Sequence, residues 1–179
     1  MCIRDSKSGT DRIFEAYKKI RHKANCEYII NLQGDEPFIN PLDIINLNNN
    51  IKCKNSDIGT LASKIKKEQF SDTSIVKVIT KDNIVKKKIS RAKKFARNCK
   101  FNKNNNIYAH IGIYQYKTLI LEKFVNFKQS KKEIKNRLEQ LRAIENGLNI
   151  DVVYTKNNSL GIDTVQDYVE IKKIMEYKI

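Results

Sequence analysis

The sequence has no tryptophan and holds only two prolines, six glycines and two histidines among 179 residues. So little proline and glycine excludes a collagen-like or low-complexity chain. No apolar run approaches the roughly 18 residues needed to span a membrane. Nor does a basic region lead into an apolar stretch near the N-terminus, as a secretory signal would. The four cysteines, Cys2, Cys26, Cys53 and Cys99, form no C-x-x-C pair. They read as reduced thiols of a cytoplasmic protein, neither a disulfide frame nor zinc ligands. Neither His22 nor His110 has a His or Cys neighbour at metal-ligand spacing, and the phosphate-loop, dinucleotide and nucleophile-elbow glycine patterns are all missing.

What is present is 40% hydrophobic and 31% charged residues, the balance of a globular protein with one core. The formal charge of +15 comes overwhelmingly from lysines spread through every segment, alongside many Asn and Ile, a composition that suggests AT-rich codons. No stripe of arginines interleaved with aromatics marks a nucleic-acid surface. The excess positive charge supplies weak, salt-screened steering of anionic substrates.

The stretch Asn31-Leu32-Gln33-Gly34-Asp35-Glu36-Pro37 organises the rest. It follows Glu27-Tyr28-Ile29-Ile30, an apolar run expected to be a buried strand, and places two carboxylates at that strand's carboxyl end. In open α/β sheets ligands bind beyond the carboxyl ends of strands. Taken alone, the stretch reads more readily as an ordinary strand-to-turn junction.

Ahead of it, Ser8-Gly9-Thr10-Asp11-Arg12 opens a helix whose stripe is Ile13, Phe14, Tyr17 and Ile20. Its start offers a cap or an anion site. After it, Asn40-Pro41 caps a helix over Leu42 to Ile51, and Asp57 to Ile65 reads as a strand. A short polar helix is expected at Lys67 to Phe70. Ser74 to Thr80 and Ile84 to Ile89 read as a hairpin. Ala92 to Asn106, basic and Asn-rich, reads as a loop. Ile107 to Tyr116 alternates strictly, with Ile107, Ala109, Ile111 and Ile113 on one face and Tyr108, His110, Gly112, Tyr114 and Tyr116 on the other. The second face suits a sugar pocket. Thr118 to Phe127 reads as a short helix. The capping box Ser130 to Glu133 starts another, with Ile134, Leu138, Leu141 and Ile144 buried and Gly147 as its stop. Ile150 to Tyr154 is the last strand, and Thr164 caps a final helix that buries Val165, Tyr168, Ile171 and Ile174. Asp163, just before that helix, repeats the Gly-then-carboxylate arrangement of Asp35.

Five of these motifs together resemble 3-deoxy-manno-octulosonate cytidylyltransferases, the CMP-Kdo synthetases: Asn31 to Pro37, Ser8 to Arg12, His110-Ile111-Gly112-Ile113-Tyr114, Leu138-Glu139-Gln140-Leu141-Arg142 and Gly161-Ile162-Asp163-Thr164. The resemblance implies an α/β nucleotide-diphospho-sugar transferase fold, a Rossmann-like mixed sheet flanked by helices, with a small antiparallel arm used in dimerisation. It implies a cytoplasmic homodimer that transfers CMP from CTP to the acidic sugar Kdo for lipopolysaccharide synthesis, with no nucleic-acid or membrane partner. Carried over by motif, Asp35 and Asp163 bind Mg²⁺ and serve catalysis. Ser8, Thr10, Arg12 and Gln33 lie near the cytidine. Arg91, His110, Tyr114, Glu139 and Gln140 line the Kdo pocket.

No residue stands out as a general base, which leaves a metal to lower the pKa of the attacking hydroxyl. Two departures accompany the match. Family members begin with a strand and a Gly-, Arg- and Lys-bearing loop that grips the triphosphate, and nothing before Ser8 matches it. Residues 1–7 are therefore left as an unassigned tail, and 8–179 are expected to form one domain lacking its first βα unit. After Arg91 the chain reads Ala92-Lys93-Lys94-Phe95, without the family's Ile-Pro. The competing readings are a cytidylyltransferase for another acidic sugar such as a sialic acid, a non-catalytic remnant, and, least favoured, a basic nucleic-acid module.

Overall fold

In the computed structural model the described residues are 8–20, 26–99, 105–157, 161–162 and 164–176. The unassigned tail, His22, part of the Lys/Asn-rich segment and Asp163 lie outside them.

The elements run α1 (Gly9–Ile20), β1 (Tyr28–Asn31), α2 (Pro41–Lys54), β2 (Ile58–Lys64), a 3₁₀ turn (Lys67–Phe70) and β3 (Lys77–Thr80). Then follow α3 (Ile84–Lys87), β4 (Ile89–Ala96), β5 (Ile107–Lys117), α4 (Thr118–Val125), α5 (Lys131–Asn136), α6 (Gln140–Glu145), β6 (Ile150–Tyr154) and α7 (Val165–Glu176). The strands form one mixed sheet in the order β1-β5-β2-β6-β4-β3, and β3 also pairs with β5. β2 and β6 are parallel, and the other pairings are antiparallel.

β5 holds the sheet together. One of its edges meets β2 along nearly its whole length, while β3 takes the first half of the other edge and β1 the second. Its two faces serve two cores, as strict alternation requires. Tyr108, Tyr114 and Tyr116 pack with Ile58, Phe95, Leu121 and Phe124 on one side. Ile111 and Ile113 pack with Leu47, Ile51 and Leu61 on the other. Between Thr60 and Leu61 the register slips, because Thr60 faces Tyr114 while Leu61 faces Ile111. Gly112 and Ile113 thus form a bulge, a feature that re-aims side chains beside it.

Asn40 caps α2 through Leu42 N–H at 2.9 Å, and Pro41 takes the first helical position, as the sequence indicates. Gly59 lets this helix press onto β2.

Four expectations are corrected. Ile84 to Ile89 is no strand: the Asn83 side chain accepts from Lys86 N–H and starts the short helix α3, so the partner of β3 is β4 instead. Much of the supposed loop after Ala92 belongs to β4, whose Ala92 and Phe95 are buried while Lys93 and Lys94 face solvent. The helix begun by the Ser130 capping box stops at Asn136, with Arg137 in the left-handed region, and Ile134 is exposed. In α7 only Ile171 is buried, and Val165 and Tyr168 are exposed.

Candidate active site

A cavity of about 350 Å³ opens where β1, β5 and the α5–α6 junction converge. Its wall includes Gln33 and Asp35 from the segment after β1, His110 and Tyr114 from β5, and Glu139 and Gln140 from the start of α6. Three sequence motifs, far apart in the chain, therefore share one surface.

The β1 side is fastened by Glu36 and residues 161–162. Gly112 N–H donates to Glu36 Oε1 at 3.2 Å, and a β-carbon on Gly112 would sit 3.4 Å from that oxygen. A side chain at position 112 would therefore stand in contact with the Glu36 carboxylate beside the bulge. Ile162 N–H donates to the Asp35 carbonyl at 2.8 Å, which brings Gly161 to the same wall. The Asp35 carboxylate is exposed at the rim.

His110 is fixed by the bulge. Thr60 Oγ1 lies 2.7 Å from Ile113 O, 3.2 Å from Ile111 O and 2.9 Å from His110 Nε2. Carbonyls only accept, so the single Thr60 proton goes to them, and Nε2 must carry the proton that reaches Thr60. Nδ1 is then an acceptor. Phe95 meets the imidazole edge-on with centroids 5.3 Å apart, and Tyr114 lies tilted at 5.4 Å. Removal of water by these neighbours lowers the imidazole pKa to about 3. Burial likewise raises Tyr114 well above its ordinary value, with Tyr116 and Glu139 adding to the shift. Both side chains are neutral hydrogen-bonding groups at physiological pH.

Glu139 is held from two directions. Ser8 Oγ donates at 2.7 Å and Thr10 Oγ1 at 2.9 Å from the N-terminus of α1. From behind, the buried Arg142 guanidinium reaches Glu139 at 2.9 Å and Glu133 at 3.0 Å while stacking on Phe124. Desolvation raises the Glu139 pKa in spite of these donors. Ser8 and Thr10 are thus committed to a residue of the sugar group, and Ser8 also caps α1 through Asp11 N–H at 3.2 Å.

Arg12 is exposed on α1 and is not part of the cavity wall. Arg91 lies elsewhere too: it faces Asp151 directly across the β4–β6 pair, with Nε donating to Oδ1 at 3.0 Å. Asp163 is outside the described residues.

Sequence reasoning placed Glu36 only as the second carboxylate beside Asp35, and it missed Ser63, Gln69, Arg97 and Arg137 on the cavity wall. Arg97 donates to the carbonyls of Thr73, Ser74 and Asn136. It fell in a stretch whose lysines hid the alternation of β4. Among the described residues no cluster of three His, Cys, Asp or Glu could enclose a metal by itself. Asp35 offers a hard oxygen donor at an open rim. That suits a cation such as Mg²⁺, which takes one or two carboxylates and completes its shell with phosphate oxygens and water.

A family model described as cytidylyltransferase matches residues 1–151. A 3-deoxy-manno-octulosonate cytidylyltransferase of Bartonella tribocorum is 40% identical over 172 residues, covering 96% of this chain and 70% of the relative. That of Thermodesulfovibrio yellowstonii is 42% identical over 179 residues, covering 94% and 69%. Among solved structures, a CMP:2-keto-3-deoxy-manno-octonic acid synthetase complexed with CTP superposes with a TM-score of 0.83 at 29% identity, over 98% of this chain and 70% of that one. UDP-glucose pyrophosphorylase complexed with UDP-glucose, at TM-score 0.66 and 15% identity, shares the fold alone. The sheet, the cavity and these likenesses agree: the chain belongs to the cytidylyltransferase family, among the 3-deoxy-manno-octulosonate cytidylyltransferases.

Proposed function

We propose that the chain transfers CMP from CTP to Kdo, releasing pyrophosphate, and that the cavity holds the two substrates side by side. The observation that carries this reading is the convergence of Gln33, Asp35, His110, Tyr114, Glu139 and Gln140 on one cavity. In the reaction the anomeric hydroxyl oxygen of the sugar bonds to the α-phosphorus. The bond from that phosphorus to the oxygen bridging the β-phosphate breaks, pyrophosphate leaves with the electron pair, and the hydroxyl proton passes to solvent water.

Both substrates are anions, so the work is alignment and charge neutralisation. Gln33 and Gln140 present carboxamides that match sugar or base hydrogen-bonding groups without adding charge. Neutral His110 and Tyr114 do the same for sugar hydroxyls. Glu139, fixed by Ser8, Thr10 and Arg142, accepts from a hydroxyl in one orientation. Asp35, with Asp163, is the pair we assign to Mg²⁺; bound there, the ion would supply charge compensation for the phosphates and would lower the pKa of the attacking hydroxyl. The expected homodimer and a cytoplasmic location complete the proposal. Among the described residues no helix is long and apolar enough to cross a membrane.

The test is pyrophosphate release from CTP with and without Kdo in Mg²⁺, for the chain and for Asp35→Ala. Release that needs both Kdo and Mg²⁺ and is abolished by Asp35→Ala is expected. A folded chain that releases none, or releases it equally without Kdo, overturns the assignment. Sedimentation analysis of the same sample tests the dimer.

A further inference from the structure

We propose that Arg137 is the cation that receives the carboxylate of the acidic sugar, and so selects acidic over neutral sugars. This rests on reading the cavity as the sugar site. The cavity wall carries three carboxylates, Asp35, Glu36 and Glu139, and two guanidiniums, Arg97 and Arg137. An anionic substrate entering such a wall needs a cation whose donors are not already engaged.

Arg97 does not meet that need, because its Nε and one terminal nitrogen already donate to the carbonyls of Asn136, Thr73 and Ser74. Arg142 is buried behind Glu139 and bridges Glu133 and Glu139. Arg91 is paired with Asp151 away from the cavity. Among the described residues the Arg137 side chain makes no ion pair or hydrogen bond, and it is exposed. A planar guanidinium with free parallel donors is matched to a carboxylate in geometry as well as charge.

The backbone supports the same assignment. Arg137 has φ 52 and ψ 49, the left-handed conformation at the end of α5 that Gly or Asn adopts far more readily. The break it makes also has a geometric effect. Arg137, Leu138, Glu139 and Gln140 all reach the cavity wall, which four consecutive residues of a continuous helix, each turned about 100° from the last, do not do. The helix stops where it does so that a cation and two sugar-facing polar groups share one surface.

The experiment measures CMP transfer and calorimetric binding with Kdo and with its methyl ester, for wild type, Arg137→Ala and Arg137→Lys. Arg137→Ala is expected to raise KM and Kd for Kdo about tenfold or more, with kcat and the KM for CTP nearly unchanged and partial recovery in Arg137→Lys. With the ester, wild type and Arg137→Ala should coincide. An unchanged KM for Kdo, an equal loss with the ester, or a loss on the CTP side overturns the proposal. If wild type binds Kdo calorimetrically but transfers no CMP, the transfer reading fails while the binding ratio still decides the role of Arg137. Wild type that binds no Kdo overturns both.

Discussion

The Ser8 hydroxyl donates to Glu139 Oε1 at 2.7 Å across 131 positions of sequence, joining the cap of α1 to the sugar side of the cavity. The same oxygen stands 2.8 Å from Asp11 Oδ2, and a hydroxyl has one proton to give. Two carboxylates thus compete for one donor beside a desolvated site.

The pKa of Glu139 follows from that crowding. Desolvation raises it, and Asp11 adds repulsion against the opposing pull of Ser8, Thr10 and Arg142. A group whose folded pKa exceeds its unfolded value stabilises fully below the unfolded value of about 4.5, and the stabilisation is lost as pH rises through the folded one. Glu139→Gln removes that titration. The difference in Tm between Glu139→Gln and wild type should therefore move in favour of the variant as pH rises through this window, while CMP transfer falls. Melting curves across the acidic range check it, and a difference independent of pH contradicts the assigned shift.

His110 shifts the other way. Its pKa of about 3 lies below the ordinary 6.5, so the neutral ring stabilises the fold above 6.5 and this contribution is lost as pH falls toward 3. Nitrogen-detected NMR should show a neutral imidazole protonated at Nε2 and unchanged from pH 5 to pH 8 (roughly the range over which an unperturbed histidine titrates). Thr60→Val should remove the tautomer preference. Ring resonances of His110 titrating near 6.5 in wild type would contradict the buried arrangement.

How much of this was legible follows the kind of signal each residue carried. Asn40-Pro41 fixed the start of α2 because a cap and a fixed φ act locally. The alternation of β5 marked both of its faces, since a strand buried on two sides still keeps a period of two. Ile84 and Val85 misled because β-branched residues favour strands, whereas the Asn83 cap and burial of Ile84 decide for a helix. Nothing before Arg137 signals a helix stop: no Gly or Pro stands there, and the left-handed turn is closed by hydrogen bonds from the Arg137 and Leu138 N–H groups to Glu133 O. The motif residues could be named one by one, but the fastening of Glu139 by Ser8 and Thr10 depends on contacts that only the folded chain creates. The same holds for Arg91.

Arg91 tests the division between site and scaffold. Its partner Asp151 is buried and, besides the guanidinium, accepts from Ser56 Oγ at 2.6 Å. Arg91→Ala strands that carboxylate, at a cost of roughly 1–3 kcal/mol for a buried charged acceptor losing its partner. The expected outcome is a lower urea midpoint with the KM for Kdo unchanged. A raised KM at unchanged stability would return Arg91 to the sugar site.

The contact between α2 and the sheet yields a prediction with its own internal control. Gly59 stands under α2, and a β-carbon there would lie 2.2 Å from Ile51 Cγ1 and 2.4 Å from Cδ1, with Leu47 Cδ1 at 3.3 Å. Ile51 and Leu47 are fully buried, so neither has open space to move into. Gly59→Ala should therefore cost about 1–3 kcal/mol by overpacking. Ile51→Ala alone should cost about 2–5 kcal/mol, because it leaves a cavity in the same place. In the double variant the added methyl enters the space the isoleucine vacated, so the two losses should sum to less than their parts. Urea unfolding of all four proteins measures the coupling. Strict additivity would mean that α2 yields to the new methyl as a body, and that the close approach at Gly59 does not fix where the helix sits.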